Sequence, residues 1–126
     1  MFIVIFIIMK FLITENKLNN IIENLFNERL QNMRNYFMEN DDTYELYGEY
    51  DPSYISAIIN TDKIDVIDVI KDEYDWWIKI IIHSNVGDFD WGLLEYDLQE
   101  LAESTLGFKP INVIVKDYKW SKDEEE

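Results

Sequence analysis

The chain contains no cysteine, two prolines, four glycines and a single histidine in 126 residues. Without cysteine there is no disulfide framework, no thiolate nucleophile and no sulfur-ligated zinc, a composition that suits an intracellular or virion protein. The glycines do not form a phosphate cradle: Gly87 alone stands between an expected strand and helix, and neither a Lys-Ser/Thr pair nor further glycines follow it. Cations are scarce too, with 11 Lys and Arg against 26 Asp and Glu, a formal net charge of −15. The imbalance is local, because between Glu39 and Asp75 twelve acids face only Lys63 and Lys71, whereas the chain before Glu39 is slightly positive. Such a field repels nucleic acid and anionic membranes and attracts basic protein surfaces.

What is present suffices for one domain over 1–126: 48% of residues are apolar and 15% aromatic, and acids interleaved with Tyr, Trp and Ile allow apolar burial to offset chain entropy. The longest apolar run is Met1 to Met9, broken by Lys10. It is short of the roughly 20 residues a spanning helix needs, and it lacks the basic start and small-residue cleavage site of a signal peptide. No membrane association is expected. The run reads either as a buried N-terminal strand or as sequence upstream of a natural start at Met9.

From Met9 the chain reads Met-Lys-Phe-Leu-Ile-Thr-Glu-Asn-Lys-Leu-Asn-Asn-Ile-Ile. This resembles the opening of many small tailed-phage proteins. The resemblance covers the N-terminal segment alone; it implies a phage origin, with a location in the host cytoplasm or the virion, and carries no implication for activity.

Leu18, Ile21, Ile22, Leu25, Phe26, Leu30, Met33 and Phe37 recur at helical spacing and predict a helix over 14–38. Thr14 is suited to cap it, and Ile13 to staple onto Leu18. Residues 39–53 read as an acidic aromatic loop with Tyr44, Leu46, Tyr47 and Tyr50. Strands are predicted at Tyr54 to Ile59, Ile64 to Ile70 and Trp76 to His83, a second helix at Phe89 to Thr105 ended by Gly107, and a fourth strand at Ile111 to Tyr118. Residues 119–126 read as an acidic tail. The expected fold is α+β: one α-β-β-β-α-β domain, a mostly antiparallel four-stranded sheet with two helices on one face and a parallel pairing from the last crossover. In the second strand, alternation places Asp65 and Asp68 on opposite faces, and the apolar residues on both sides suggest a bulge or an environment that covers both faces.

No catalytic signature emerges, and the chain reads as a non-enzyme without cofactor or metal. His83 with Asp88 and Asp90 has the donor types for a divalent cation, but Asp88 suits the N-cap of the second helix and Asp90 its first turn. Ser84 beside His83 lacks a nucleophile-elbow context. Carboxylate pairs such as Glu95 with Glu100 read as solvated faces. The α-β-β-β-α order is also that of double-stranded RNA-binding domains, which the acidic charge argues against. The favoured reading is an acidic protein-interaction domain that binds a basic surface of a nucleic-acid-handling partner through Asp41, Asp42, Glu45, Tyr47, Glu49, Tyr50, Asp65, Asp68, Asp72, Glu73 and Asp75, its carboxylates standing in for phosphates. The alternative is a virion or assembly subunit, or a homo-oligomer, in which Phe2 to Ile8 adds a strand to a neighbour's sheet.

Overall fold

Apolar residues at three- and four-residue spacing produce the longest element, helix α1 at Glu15–Glu39, which buries Ile22, Phe26, Leu30 and Phe37 along one stripe. The computed structural model describes residues 15–40, 44–87, 89–107 and 109–120. The expected cap and staple at Thr14 and Ile13, the segment Phe2 to Ile8 and residues 121–126 of the expected tail lie outside the described residues, while 119 and 120, also expected in the tail, belong to the last strand. After α1 come α2 at Tyr44–Glu49, α3 at Pro52–Ile59, β1 at Thr61–Lys71, β2 at Trp76–Ser84, α4 at Gly92–Leu106 and β3 at Ile111–Trp120.

Two of these elements correct the sequence reading. The 39–53 segment is not all loop, since α2 lies within it and is anchored by the fully buried Leu46. Tyr54 to Ile59 is helical rather than a strand. Asp51 takes the N–H of Ser53 at 2.8 Å as N-cap, and Pro52, lacking an N–H, occupies the first helical position at no hydrogen-bonding cost. Helical spacing then buries Tyr54, Ile55, Ala57 and Ile58 together, and Tyr54 and Tyr50 pack around Phe37 with ring centroids 6.2 and 5.0 Å from it.

The sheet therefore has three strands, in the order β1-β2-β3, rather than four. β1 and β2 pair antiparallel through the Asp72-to-Asp75 turn, and β2 and β3 pair parallel across α4. The parallel pairing expected from the last crossover is present; the mostly antiparallel sheet is not. Gly107 ends α4 in the left-handed region at φ 83°, its N–H bonded to the Glu103 carbonyl at 3.0 Å.

One face of the sheet, made of Ile64, Val66, Val69, Ile78, Ile80, Ile82, Ile111 and Val113, forms a single core with Phe26 and Leu30 of α1 and Leu94, Leu98 and Ala102 of α4. Each large side chain buried there contributes roughly 1.5–3 kcal/mol. The expected bulge falls in β1: Val66 pairs with Ile80 and Asp68 with Lys79, leaving Ile67 as an extra residue, 43% exposed. The inserted residue shifts the alternation by one. Val69 returns to the core opposite Ile78, and Asp65 and Asp68, expected on opposite faces, share the open face with their cross-strand partners Ile81 and Lys79.

Candidate functional site

The structure divides the predicted partner-binding residues among three places. Asp41 and Asp42 lie outside the described residues, as does the side chain of Glu45. Tyr47 and Glu49 are exposed on α2, and Tyr50 is half-buried, its ring stacked on Tyr54. Burial raises the Tyr50 hydroxyl pKa, with Glu49 adding to the shift, so this phenol stays neutral.

Asp65 and Asp68 occupy the open sheet face in a mixed rather than acidic setting. The Nε2–H of His83 donates to Asp65 Oδ2 at 2.7 Å, and Lys63 Nζ lies 4.0 Å from Oδ1. Asp68 stands directly across from Lys79. Opposite charges on paired positions of a sheet partly cancel, so this stretch presents less negative field than its acid count implies. His83 is thus engaged by Asp65, and Asp90 accepts the N–H of Gly92 at 3.0 Å. The expected Asp88 cap lies outside the described residues; the capping position is Trp91, which makes no side-chain cap bond. Among the described residues no three His, Cys, Asp or Glu side chains gather as metal ligands.

Asp72, Glu73 and Asp75 form the turn between β1 and β2. Asp72 Oδ1 accepts the N–H groups of Tyr74 at 3.1 Å and Asp75 at 2.9 Å, Oδ2 accepts the Trp77 indole N–H at 3.0 Å, and the Asp72 N–H donates to the Asp75 carbonyl at 2.9 Å. These donors, the Asp75 N–H foremost, hold the Asp72 carboxyl below its ordinary pKa. Asp75 in turn accepts Asn112 Nδ2 at 3.2 Å, and Lys71 Nζ sits 5.8 Å from the Trp76 ring centroid. Between the two fixed carboxylates project Glu73 and Tyr74, the latter 77% exposed. The strands expected up to Ile70 and from Trp76 already place Tyr74 in the connection between them; its exposure at the tip is what the structure adds. The 11 residues of β1 separate this tip from the α2–α3 end by about 35 Å, so the acids of 39–75 make two patches, not one surface.

Both sheet edges are occupied by helix side chains that sequence reasoning assigned to wet faces or left unassigned. Along β1, Asn27 Oδ1 accepts the N–H of Ile64 at 2.9 Å and Glu23 Oε1 that of Val66 at 2.8 Å. Along β3, Glu103, Gln99 and Glu95 accept the N–H groups of Ile111, Val113 and Val115 at 2.9, 3.1 and 2.9 Å. A shallow groove between α1 and the end of α4, lined by Arg29, Glu100, Glu103, Ser104 and Lys109, has its groups engaged in part elsewhere: Arg29 forms a two-pronged pair with Asp97 at 2.9 and 3.0 Å. In this groove Ser104 Oγ donates to the Leu101 carbonyl at 3.2 Å, and Glu103 is taken by the Ile111 N–H. Among the described residues no helix is long and apolar enough to cross a membrane. Compared with known proteins, the chain matches no protein-family model, no curated protein and no solved structure.

Proposed function

We propose that this chain is a non-enzymatic protein-interaction domain whose primary contact is the β1–β2 turn, engaging a basic surface of its partner. The observation that carries this reading is the turn itself, where Asp72 and Asp75 are fixed by backbone, indole and amide donors around an outward Tyr74. An aromatic ring offers a large contact at low entropic cost, and carboxylates held in place lose little freedom on meeting Lys or Arg. The net charge of −15 steers such a partner towards the chain from a distance. A phage-encoded protein occupying the cleft of a nucleic-acid-handling enzyme fits this chemistry. The α2 patch is a secondary contact, and Asp65 and Asp68 are withdrawn from the proposed surface because His83 and Lys79 face them.

The alternative, an assembly subunit joined through Phe2 to Ile8, draws on the apolar start of the chain. In a second copy the edges at Ile64, Val66, Ile111, Val113 and Val115 are already taken by helix side chains, so such a segment would have to pair elsewhere on that sheet or with another protein's.

The test compares two variants of the full chain, Glu73→Lys with Tyr74→Ala and Glu45→Gln with Glu49→Gln, in affinity capture from a bacterial lysate read by mass spectrometry at low and high salt. Loss of one basic protein with the turn variant and its retention with the α2 variant supports the reading. Equal capture by both variants and the parent overturns it.

A further inference from the structure

The rungs on the two edges share one geometry. Residues four apart on a helix are about 6 Å apart along its axis and face the same way. Alternate residues of a strand are about 6.6 Å apart, and their N–H groups point to the same edge. A helix lying antiparallel to an edge strand can therefore meet every outward N–H with every fourth side chain. α4 does this three times, Glu95, Gln99 and Glu103 meeting Val115, Val113 and Ile111. α1 does it twice, Glu23 and Asn27 meeting Val66 and Ile64. The next α1 position in the series is Asn19, and its Oδ1 is buried without a partner among the described residues. Opposite it falls the bulge between Val66 and Asp68, where β1 leaves regular spacing. The ladder thus fails where the strand does.

We propose that α1 and α4 serve as strand surrogates along the two edges of the sheet, α1 over Ile64 and Val66 and α4 over Ile111, Val113 and Val115, and that the Glu95, Gln99 and Glu103 ladder keeps β3 from accepting β3 of a second copy. β3 is the edge in need of closing. It runs 10 residues and opens Ile-Asn-Val-Ile-Val without a proline, the composition of a strand that pairs with its own kind. β1 carries a bulge and the charged Lys63, Asp65 and Asp68 along its length, whereas on β3 the register shift and the charges of Lys116, Asp117 and Lys119 come only after this apolar opening. An unguarded β3 would meet an identical β3 antiparallel and join two sheets into one.

Amide hydrogen exchange on the full chain, followed residue by residue, reads the closure directly. Outward N–H groups of an open edge strand exchange quickly; the proposal expects Ile111, Val113 and Val115 to be protected as the sheet's inner amides are. The triple variant Glu95→Ala, Gln99→Ala, Glu103→Ala should lose that protection by at least about tenfold in monomer and sediment as a dimer or larger species as concentration rises. Glu95→Gln with Glu103→Gln keeps an acceptor oxygen at each rung and should behave as the parent. If the triple variant does not fold, Gln99→Ala alone removes the middle rung from a helix that alanine suits, and exchange at Val113 decides. Free exchange of the three amides in the parent overturns the proposal, as does a folded alanine variant that stays in the parent's association state. Exchange at Val113 unchanged by Gln99→Ala overturns it equally.

Discussion

Asn27 and Ile64 exchange two hydrogen bonds: Asn27 Nδ2 donates to the Ile64 carbonyl at 2.8 Å and Oδ1 accepts the Ile64 N–H at 2.9 Å. A helix side chain thereby meets the strand as an antiparallel neighbour residue would, one donor and one acceptor in a matched pair. Nδ2 also donates to the Glu23 carbonyl at 2.8 Å, which fixes the amide on α1. Asn27→Ala leaves both Ile64 groups without this partner, and the expected loss is about 1–3 kcal/mol of folding stability. Asn27→Asp keeps the acceptor and removes the donor, so it should fall between the two. Urea unfolding with an unchanged slope measures both.

Alternation along β2 makes neighbouring residues unequal. Ile80 is fully buried opposite Val66, whereas Ile81 is half-buried on the open face opposite Asp65. Ile80→Ala should cost about 2–5 kcal/mol, as filled core sites do, and Ile81→Ala under about 1.5 kcal/mol because solvent already reaches that site. Equal losses in chemical denaturation would contradict the face assignment.

Long-period signals in the sequence were legible and short ones were not. α1 follows from six turns of apolar spacing, and Gly107 ends α4 where the sequence placed the stop, although α4 starts at Gly92 rather than Phe89. Tyr54 to Ile59 misleads because six residues with three isoleucines satisfy strand composition, while the cap that decides for helix, Asp51-Pro52-Ser53, lies just before them and reads equally as a turn. Losing that strand left three in the sheet. Apolar residues on both faces of 64–70 left a bulge or a two-sided environment open; the pairing with β2 decides for the bulge and sets the side on which Asp68 falls. The edge ladders escape notice for a different reason. Glu and Gln every four residues is also the pattern of a solvated helix face, and only the neighbouring strand distinguishes the two.

Arg29 and Asp97 join α1 to α4 with a two-pronged contact at 2.9 and 3.0 Å, their side chains 39% and 29% exposed. The hydrogen bond to Asp97 raises the Arg29 pKa, so the guanidinium is charged at every accessible pH. Solvent screening limits such a pair: a double-mutant cycle with Arg29→Ala and Asp97→Ala should give a coupling of about 0.2–1 kcal/mol, falling as salt is added. Arg29→Lys should retain the charge and lose the fork. A coupling that is zero in low salt would mean that packing alone joins the helices here.

Gly107 is the described residue with a positive φ, 83°, and nothing lies within 4 Å of the position a Cβ would take. Space is therefore no obstacle to a side chain; backbone strain is. Gly107→Ala should cost about 1 kcal/mol, and Gly107→Asn less, since asparagine tolerates the left-handed region. Thermal unfolding of the two variants checks the order.

Asp72 ties stability to pH with a definite sign. The N–H of Asp75, joined by the N–H of Tyr74 and the indole of Trp77, favours its charged form, so the carboxyl in the folded chain ionises at lower pH than in the unfolded chain. A group with a depressed folded pKa contributes stability that is present above the unfolded value, about pH 4, and is lost as pH falls through the folded value. Comparing the parent with Asp72→Ala, the gap in unfolding temperature should be level between about pH 5 and pH 8 and shrink on acidification below about pH 4. Asp72→Asn retains one acceptor oxygen but cannot ionise, so its gap to Asp72→Ala should not change across that window. Tryptophan fluorescence suits the measurement, because Trp77 donates to this carboxylate and should report the turn opening before the core does. A gap between parent and Asp72→Ala that stays constant down to the lowest pH at which the chain remains folded would show that the turn does not prefer the ionised acid, and the fixed carboxylate proposed for partner contact would go with it.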